Sequence, residues 1–221
     1  MSNEFRRILM LLPKATLDTV YMVAASTVFS CLMGLPFGVL LFSASPVGLR
    51  PRRVLYNVLS RVVNLLRSFP FIILMILIMP LARFIVGKSV GPTAVIIPLS
   101  IAAAPFVARL VESAIQEVDY GVLTAARAMG STDFQIIRKV LLPEALPSLV
   151  SALALTIITL IGYSAMAGAI GGGGLGDMAI RFGYYGFQWE VTVAAVVVVL
   201  MLVELVQAAG TLITRRLLAR R

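Results

Sequence analysis

The run Ala145–Gly176, ALPSLVSALALTIITLIGYSAMAGAIGGGGLG, carries no charged side chain. How it is read decides the fold. A helix needs about 20 apolar residues to cross the hydrocarbon of a bilayer, and this run is longer than that. Its end, AIGGGGLG (Ala169–Gly176), also satisfies G-x-G-x-x-G through Gly171, Gly173 and Gly176. That pattern holds a dinucleotide only after a buried strand, ahead of a helix on a parallel sheet, with an acidic residue about 20 positions on. Here a membrane-helix candidate precedes it, and Glu190 falls in range only at the start of another apolar run. The glycines therefore read as the end of a span, where the backbone turns tightly. At that end Gly171, Gly172, Gly173 and Gly174 form a candidate outer gate, flexible or close-packed.

Composition agrees with a membrane reading. Of 221 residues, 60% are hydrophobic and 13% charged, with a mean hydropathy of +0.99. Soluble domains are about 45–50% apolar and about 25% charged. Histidine is absent, which excludes imidazole metal ligands and His-based triads. The single cysteine, Cys31, lies in an apolar run and excludes an intrachain disulfide or a multi-thiolate zinc site. Neither a metal nor a cofactor is expected. The net charge of +9 would suggest nucleic acid in a soluble protein. The basic residues fall between apolar runs, so they read as membrane topology, and no nucleic-acid partner is expected.

The expected fold is all-α and polytopic, with five transmembrane helices. Thr19–Leu49 is free of charge, and the first span fits at about 17–42. Only Ser68–Ala82 is charge-free in the second, so a span at about 62–82 must leave Arg67 to snorkel. The third fits at about 89–108, despite Pro92, Pro98 and Pro105, the fourth at about 147–168 and the fifth at about 191–214. The connections after spans one and three, with Arg50, Arg52, Arg53, Arg127, Arg138 and Lys139, and the C-terminus, with Arg215 and Arg216, hold most of the positive charge. The positive-inside rule places them in the cytoplasm and the N-terminus outside. The basic N-terminus strains this assignment. Arg6 to Lys14 reads as the start of a short interfacial helix. A signal peptide is the rival reading, but the apolar stretch exceeds the 7–15 residues of a typical h-region.

Between spans three and four lies a stretch too polar to cross, EVDYGVLTAARAMGSTDFQIIRKVLLPEALPS (Glu117–Ser148). It reads as two short helices around a turn. Asp119 is the expected N-cap of the first, which runs to about Met129, and Gly130 follows at the left-handed position. Thr132 caps the second, with Gln135 completing a capping box. Phe134, Ile137 and Leu141 are expected on one apolar face. Such an element either packs on its own helix ends or docks into a partner's groove.

Ala125-Ala126, Gly130 four positions after Ala126, then Val140, Leu142 and Pro143 resemble the cytoplasmic signature of ATP-binding cassette importer permeases. In that family the loop forms a coupling helix seated in a cleft of the ATPase. The resemblance implies that Thr124, Ala125, Ala126, Gly130, Val140, Leu142 and Pro143 carry the coupling, within a cytoplasmic region 117–146. Thr124 departs from the family's usual Glu, which removes a charge from that contact. Arg67–Leu74, Ala102–Glu112 and Gly162–Phe187 are similar to the methionine permeases of these importers. That likeness implies a homodimer in the bacterial cytoplasmic membrane, two ATPase subunits and an extracytoplasmic methionine-binding protein.

The chain has no G-x-x-x-x-G-K-[ST] loop, so the energy for transport must come from a partner. An intramembrane enzyme would need paired acids, a Ser–Lys set or metal ligands, whereas the spans hold one deep carboxylate, Glu204, near Gln207. The small residues of span four serve either helix packing or a substrate path. Tyr163, Ser164 and Met166 are the candidate path residues. The aromatics Tyr184, Tyr185, Phe187 and Trp189 read as an interfacial belt or a contact for a binding protein. A permease for another amino acid or an osmolyte is the alternative, although no span offers the aromatic cage a quaternary ammonium would want.

Overall fold

A computed structural model describes residues 10–219, which are helical and, within that range, contain no strand. Arg6 and Arg7 lie outside the described residues. The long helices are α1 (Leu12–Ala44), α4 (Pro92–Gln116), α7 (Leu146–Gly168) and α9 (Trp189–Leu218). Between them come α2 (Arg53–Ser68), α3 (Phe71–Val86), α5 (Tyr120–Ala128), α6 (Asp133–Ile136) and α8 (Gly174–Met178). The four long helices are each long and apolar enough to cross a membrane, and the α2–α3 pair makes a fifth if it is one broken span.

The second apolar segment departs from the expected single helix over 62–82. It is two helices of 16 residues, parted at Phe69-Pro70. Pro70 disfavours helical geometry at the residue before it and has no N–H to donate. Its carbonyl instead starts α3, accepting from Ile73 N at 3.0 Å and Leu74 N at 3.1 Å. Each helix is about 24 Å long, short of the roughly 30 Å of hydrocarbon.

Hydroxyls inside the apolar helices are turned back on their own backbones. Thr16 donates to the Leu12 carbonyl (2.8 Å), Thr27 to Val23 (2.7 Å), Ser43 to Val39 (2.7 Å) and Ser100 to Ile96 (2.6 Å). With no water in a bilayer core, this i−4 bond satisfies the hydroxyl within its own segment.

The chain divides into two compact units. One gathers the chain up to Phe29 with Phe69–Ala103 and Ile157–Gln207. Its core is Met22, Val23, Phe71, Met75, Val95, Leu99, Leu160, Ile161 and Ala167, and a second cluster joins Ala15, Leu175, Met178, Val191 and Ala195. The other gathers Ser30–Ser68, Ala104–Thr156 and the chain from Ala208. Its core is Phe42, Leu49, Val107, Val111, Ile115, Leu123, Ala126, Ile136 and Leu141. Lipid tails are as apolar as these side chains, so close packing rather than escape from water holds such helices together. Gly34 and Gly38 show it. A Cβ on Gly34 would lie 2.6 Å from Val107 Cβ, and one on Gly38 would lie 2.6 Å from both the Ala108 carbonyl and Val111 Cβ.

Candidate functional site

Two regions carry the residues singled out by sequence. The first is the amphipathic stretch after α4. Asp119 caps α5, its Oδ1 accepting from Gly121 N at 2.6 Å. The helix ends at Ala128, and Gly130 follows at φ 76°, as its position predicts. Thr132 then caps α6 in a capping box: its N–H donates to Gln135 Oε1 (2.9 Å), and its Oγ1 accepts from Gln135 N (3.4 Å).

Beyond Ile136 the chain widens into a π-helical turn, Ile137–Leu141, in which Leu142 N donates to the Ile137 carbonyl. Pro143 lies just beyond, and its ring would press on the carbonyl four residues back in a regular helix. Of the expected apolar face, Leu141 is buried and Ile137 is half-buried against the core of the unit. Ile136 and Leu141, five apart, are the buried pair, while Phe134 is 68% exposed. Of the signature residues, Ala126 is buried, Val140 and Leu142 are half-buried against the same core, and Thr124, Ala125, Gly130 and Pro143 are exposed. The Thr124 hydroxyl donates to the Tyr120 carbonyl at 2.9 Å and so is spent on its own helix.

The element is also tied down by polar contacts within its unit. Arg127 Nη2 donates to the Leu49 carbonyl at 2.6 Å, Arg50 pairs with Asp133, and the Ser148 hydroxyl donates to Glu117. Beside the exposed Gln135, Arg138 and Lys139, three large apolar side chains face outward: Tyr120, Met129 and Phe134 are 64%, 78% and 68% exposed. Sequence reading missed this trio as a surface. The helical period groups Phe134 with Ile137 and Leu141 on one apolar face, whereas its side chain lies outward.

The second region is the glycine-rich end of α7. Gly171 N donates to the Gly168 carbonyl (3.1 Å) and Gly172 N to the Ala167 carbonyl (2.9 Å), with Gly171 at φ 82°. This is a Schellman closure of a helix C-terminus, with glycine in its left-handed position. The Gly171 carbonyl accepts from Gly91 N at 3.0 Å, and Leu175 N donates to Thr19 Oγ1 at 2.9 Å. The chain then doubles back so tightly that a Cβ on Gly176 would meet the Ala165 Cα at 2.5 Å. A Cβ on Gly172 would lie 2.7 Å from the Ala167 carbonyl, and one on Gly174 would lie 2.6 Å from Thr19 Oγ1. Of the two expected forms of this turn, flexible or close-packed, the structure has the close-packed one.

The three candidate path residues sit near this turn on α7 but do not converge. Tyr163 stacks on Phe71 with centroids 4.3 Å apart and planes within 4°. Ser164 is buried and donates to the Ile161 carbonyl at 2.7 Å. Met166 is half-exposed. Glu204 and Gln207 both lie exposed on α9. Tyr184, Tyr185, Phe187 and Trp189 are all exposed, as an interfacial belt or a contact surface requires.

One recognisable signal went unread in the sequence. Gly34-Leu-Pro-Phe-Gly38 is a G-x-x-x-G, the pattern of close helix approach in membranes, and it is where α1 meets Val107 and Val111.

Comparison with known proteins fits these features. Residues 34–219 match the family described as the binding-protein-dependent transport system inner membrane component. The probable D-methionine transport system permease protein MetI of Vibrio cholerae is 48% identical over 206 residues, 93% of this chain and 92% of that one. The D-methionine transport system permease protein MetI of Escherichia coli K12 is 50% identical over 158 residues, 72% of this chain and 73% of that one. A solved structure of inward-facing conformations of the MetNI methionine ABC transporter matches with a TM-score of 0.93 at 46% identity, over 98% of this chain and 99% of that chain. An amino acid ABC transporter with histidines matches at a TM-score of 0.78 and 23% identity, a likeness of fold alone. With the match running from within α1 to the end of α9, the chain belongs to the binding-protein-dependent transport system inner membrane components.

Proposed function

We propose that this chain is the permease subunit of a methionine importer of the ATP-binding cassette class. The observation that carries the reading is likeness along the whole chain: 48% identity over 93% of it to a D-methionine permease, and a TM-score of 0.93 to a chain of a methionine transporter. The chain lies in the inner membrane, forms the path for methionine and leaves ATP hydrolysis to a separate subunit.

In the finer reading the permease is a homodimer served by two ATPase subunits, and an extracytoplasmic protein delivers methionine. The C-terminus is cytoplasmic and the N-terminus extracytoplasmic, by the positive-inside rule. The region 117–146 docks on the ATPase. The exposed Tyr120, Met129 and Phe134 suit an anchor in a partner cleft, because large apolar and aromatic side chains carry most interface energy. Val140 and Leu142 then join that surface to the core of the unit, so a displacement of the docked face is felt by the helices. A ligand shifts such an equilibrium only by binding its states unequally, and ATP does so through the partner. Tyr163, Ser164 and Met166 mark the α7 segment of the path. Ser164 contributes shape rather than a free hydroxyl, and the Met166 thioether suits a thioether substrate. Gly171–Gly174 form the outer gate as a close-packed stop rather than a loose loop.

The test is reconstitution with the partner ATPase in proteoliposomes, with the methionine-binding protein supplied and D- and L-methionine and other amino acids as competitors. ATP-dependent methionine uptake, poorly competed by other amino acids, is the expected result. Equal uptake of unrelated amino acids, or none driven by ATP, would overturn the reading.

A further inference from the structure

Glu112 is the one charged side chain among the buried residues described, 1% exposed near the C-terminal end of an apolar helix. A carboxylate so placed needs a counter-charge. Arg109, one turn earlier on α4, supplies it, Nη1 donating to Glu112 Oε2 at 2.6 Å. Gln116 Nε2 donates to the other carboxylate oxygen at 3.4 Å. That local set already compensates the charge. Arg109 nevertheless extends its second arm out of the helix, and Nη2 donates to Ser60 Oγ at 2.6 Å and Asn64 Oδ1 at 2.9 Å. Ser60 and Asn64 are four apart on one face of α2.

Apart from this fork, α2 is held by a small apolar cluster, in which Tyr56 and Leu59 are half-buried, and by Arg67, whose guanidinium lies 5.6 Å from the Phe106 ring centroid on α4. Val63 is its one buried residue among those described, set against Leu41 and Ala108, while Val54, Val58 and Leu65 are exposed. Just beyond this set α4 ends at Gln116, and the chain runs through Glu117–Asp119 directly into α5. There Val111 and Ile115 share a core with Leu123, Ala126, Ile136 and Leu141. The planar guanidinium holds three acceptors on two helices in one fixed fork, which a lysine ammonium does not.

We infer that Arg109 is a positioning residue for transport: its second arm locks α2 to α4, so that a displacement of the region 117–146 at the foot of α4 carries α2 with it. The inference rests on the importer reading above. Its measure is methionine taken up per ATP hydrolysed by the reconstituted transporter. In the S60A/N64A double variant, which spares the Arg109–Glu112 pair, the melting temperature and ATP hydrolysis stay near those of the unsubstituted protein. Uptake per ATP falls by about tenfold, the size of a lost hydrogen bond to a charged group. Arg109→Lys, which keeps the charge beside Glu112, falls in the same way. An unchanged ratio in both, including one where uptake and hydrolysis drop together, overturns the inference. Absence of ATP-driven methionine uptake in the unsubstituted transporter would instead sink the importer reading on which it stands.

Discussion

The turn at Gly130 and the turn at Gly168–Gly176 both interrupt helices with glycine, for opposite physical reasons. Around Gly130 nothing lies within 4 Å of where a Cβ would sit, and only its φ of 76° calls for glycine. At Gly176 the backbone of α7 occupies the place of a Cβ. The first turn is open, held by caps and polar ties, and it leaves Tyr120, Met129 and Phe134 outward. The second is closed, with main chain lying on main chain. A surface that must meet a partner needs the first kind, and a structural stop between packed segments needs the second.

Substitutions should separate the two turns by size of effect. Gly176→Leu is expected to cost the most, about 3 kcal/mol or more, since backbone on both sides cannot yield. A thermal melt of the purified permease reads it, and an unshifted melt would break the close-packed account of that turn. Phe134→Asp should leave the melt within about 0.5 kcal/mol, because the side chain is exposed. Recovery of the ATPase with the permease should meanwhile fall at least tenfold, about 1.4 kcal/mol of binding. Full recovery would remove Phe134 from the docking surface. Gly130→Ala should cost about 1 kcal/mol for the left-handed backbone, and Gly130→Asn less, since asparagine tolerates that region. Equal melts for alanine, asparagine and glycine would show that φ is not what this position demands. Thr124→Val should be the mildest, within about 0.5 kcal/mol and with uptake retained, because the hydroxyl serves only its own helix in this chain. Lost uptake with a normal melt would mean that the hydroxyl has a second use in the assembled transporter.

Local chemistry made part of this legible. The caps at Asp119 and Thr132–Gln135 and the left-handed Gly130 follow from side chains within three residues of each other. The break at Phe69-Pro70 was equally local, but an average over an apolar window passes across it. The π turn before Pro143 lay half in reach: the proline is visible, whereas whether the helix kinks, ends or widens depends on what Ile136 and Leu141 pack against.

By itself the sequence determined the class of the molecule. Charge-free runs of bilayer length, no histidine and one polar stretch with importer-like spacing leave few alternatives, because the cost of polar groups in hydrocarbon acts residue by residue. Only the tertiary structure decided what each small or polar residue does. Gly38 and Gly176 are glycines because another backbone or side chain fills the space of a Cβ. Ser164 turns into the core, and Arg109 reaches Ser60 and Asn64, 49 and 45 positions away in the chain. Such contacts join residues far apart in sequence, and neither periodicity nor composition records which of them meet.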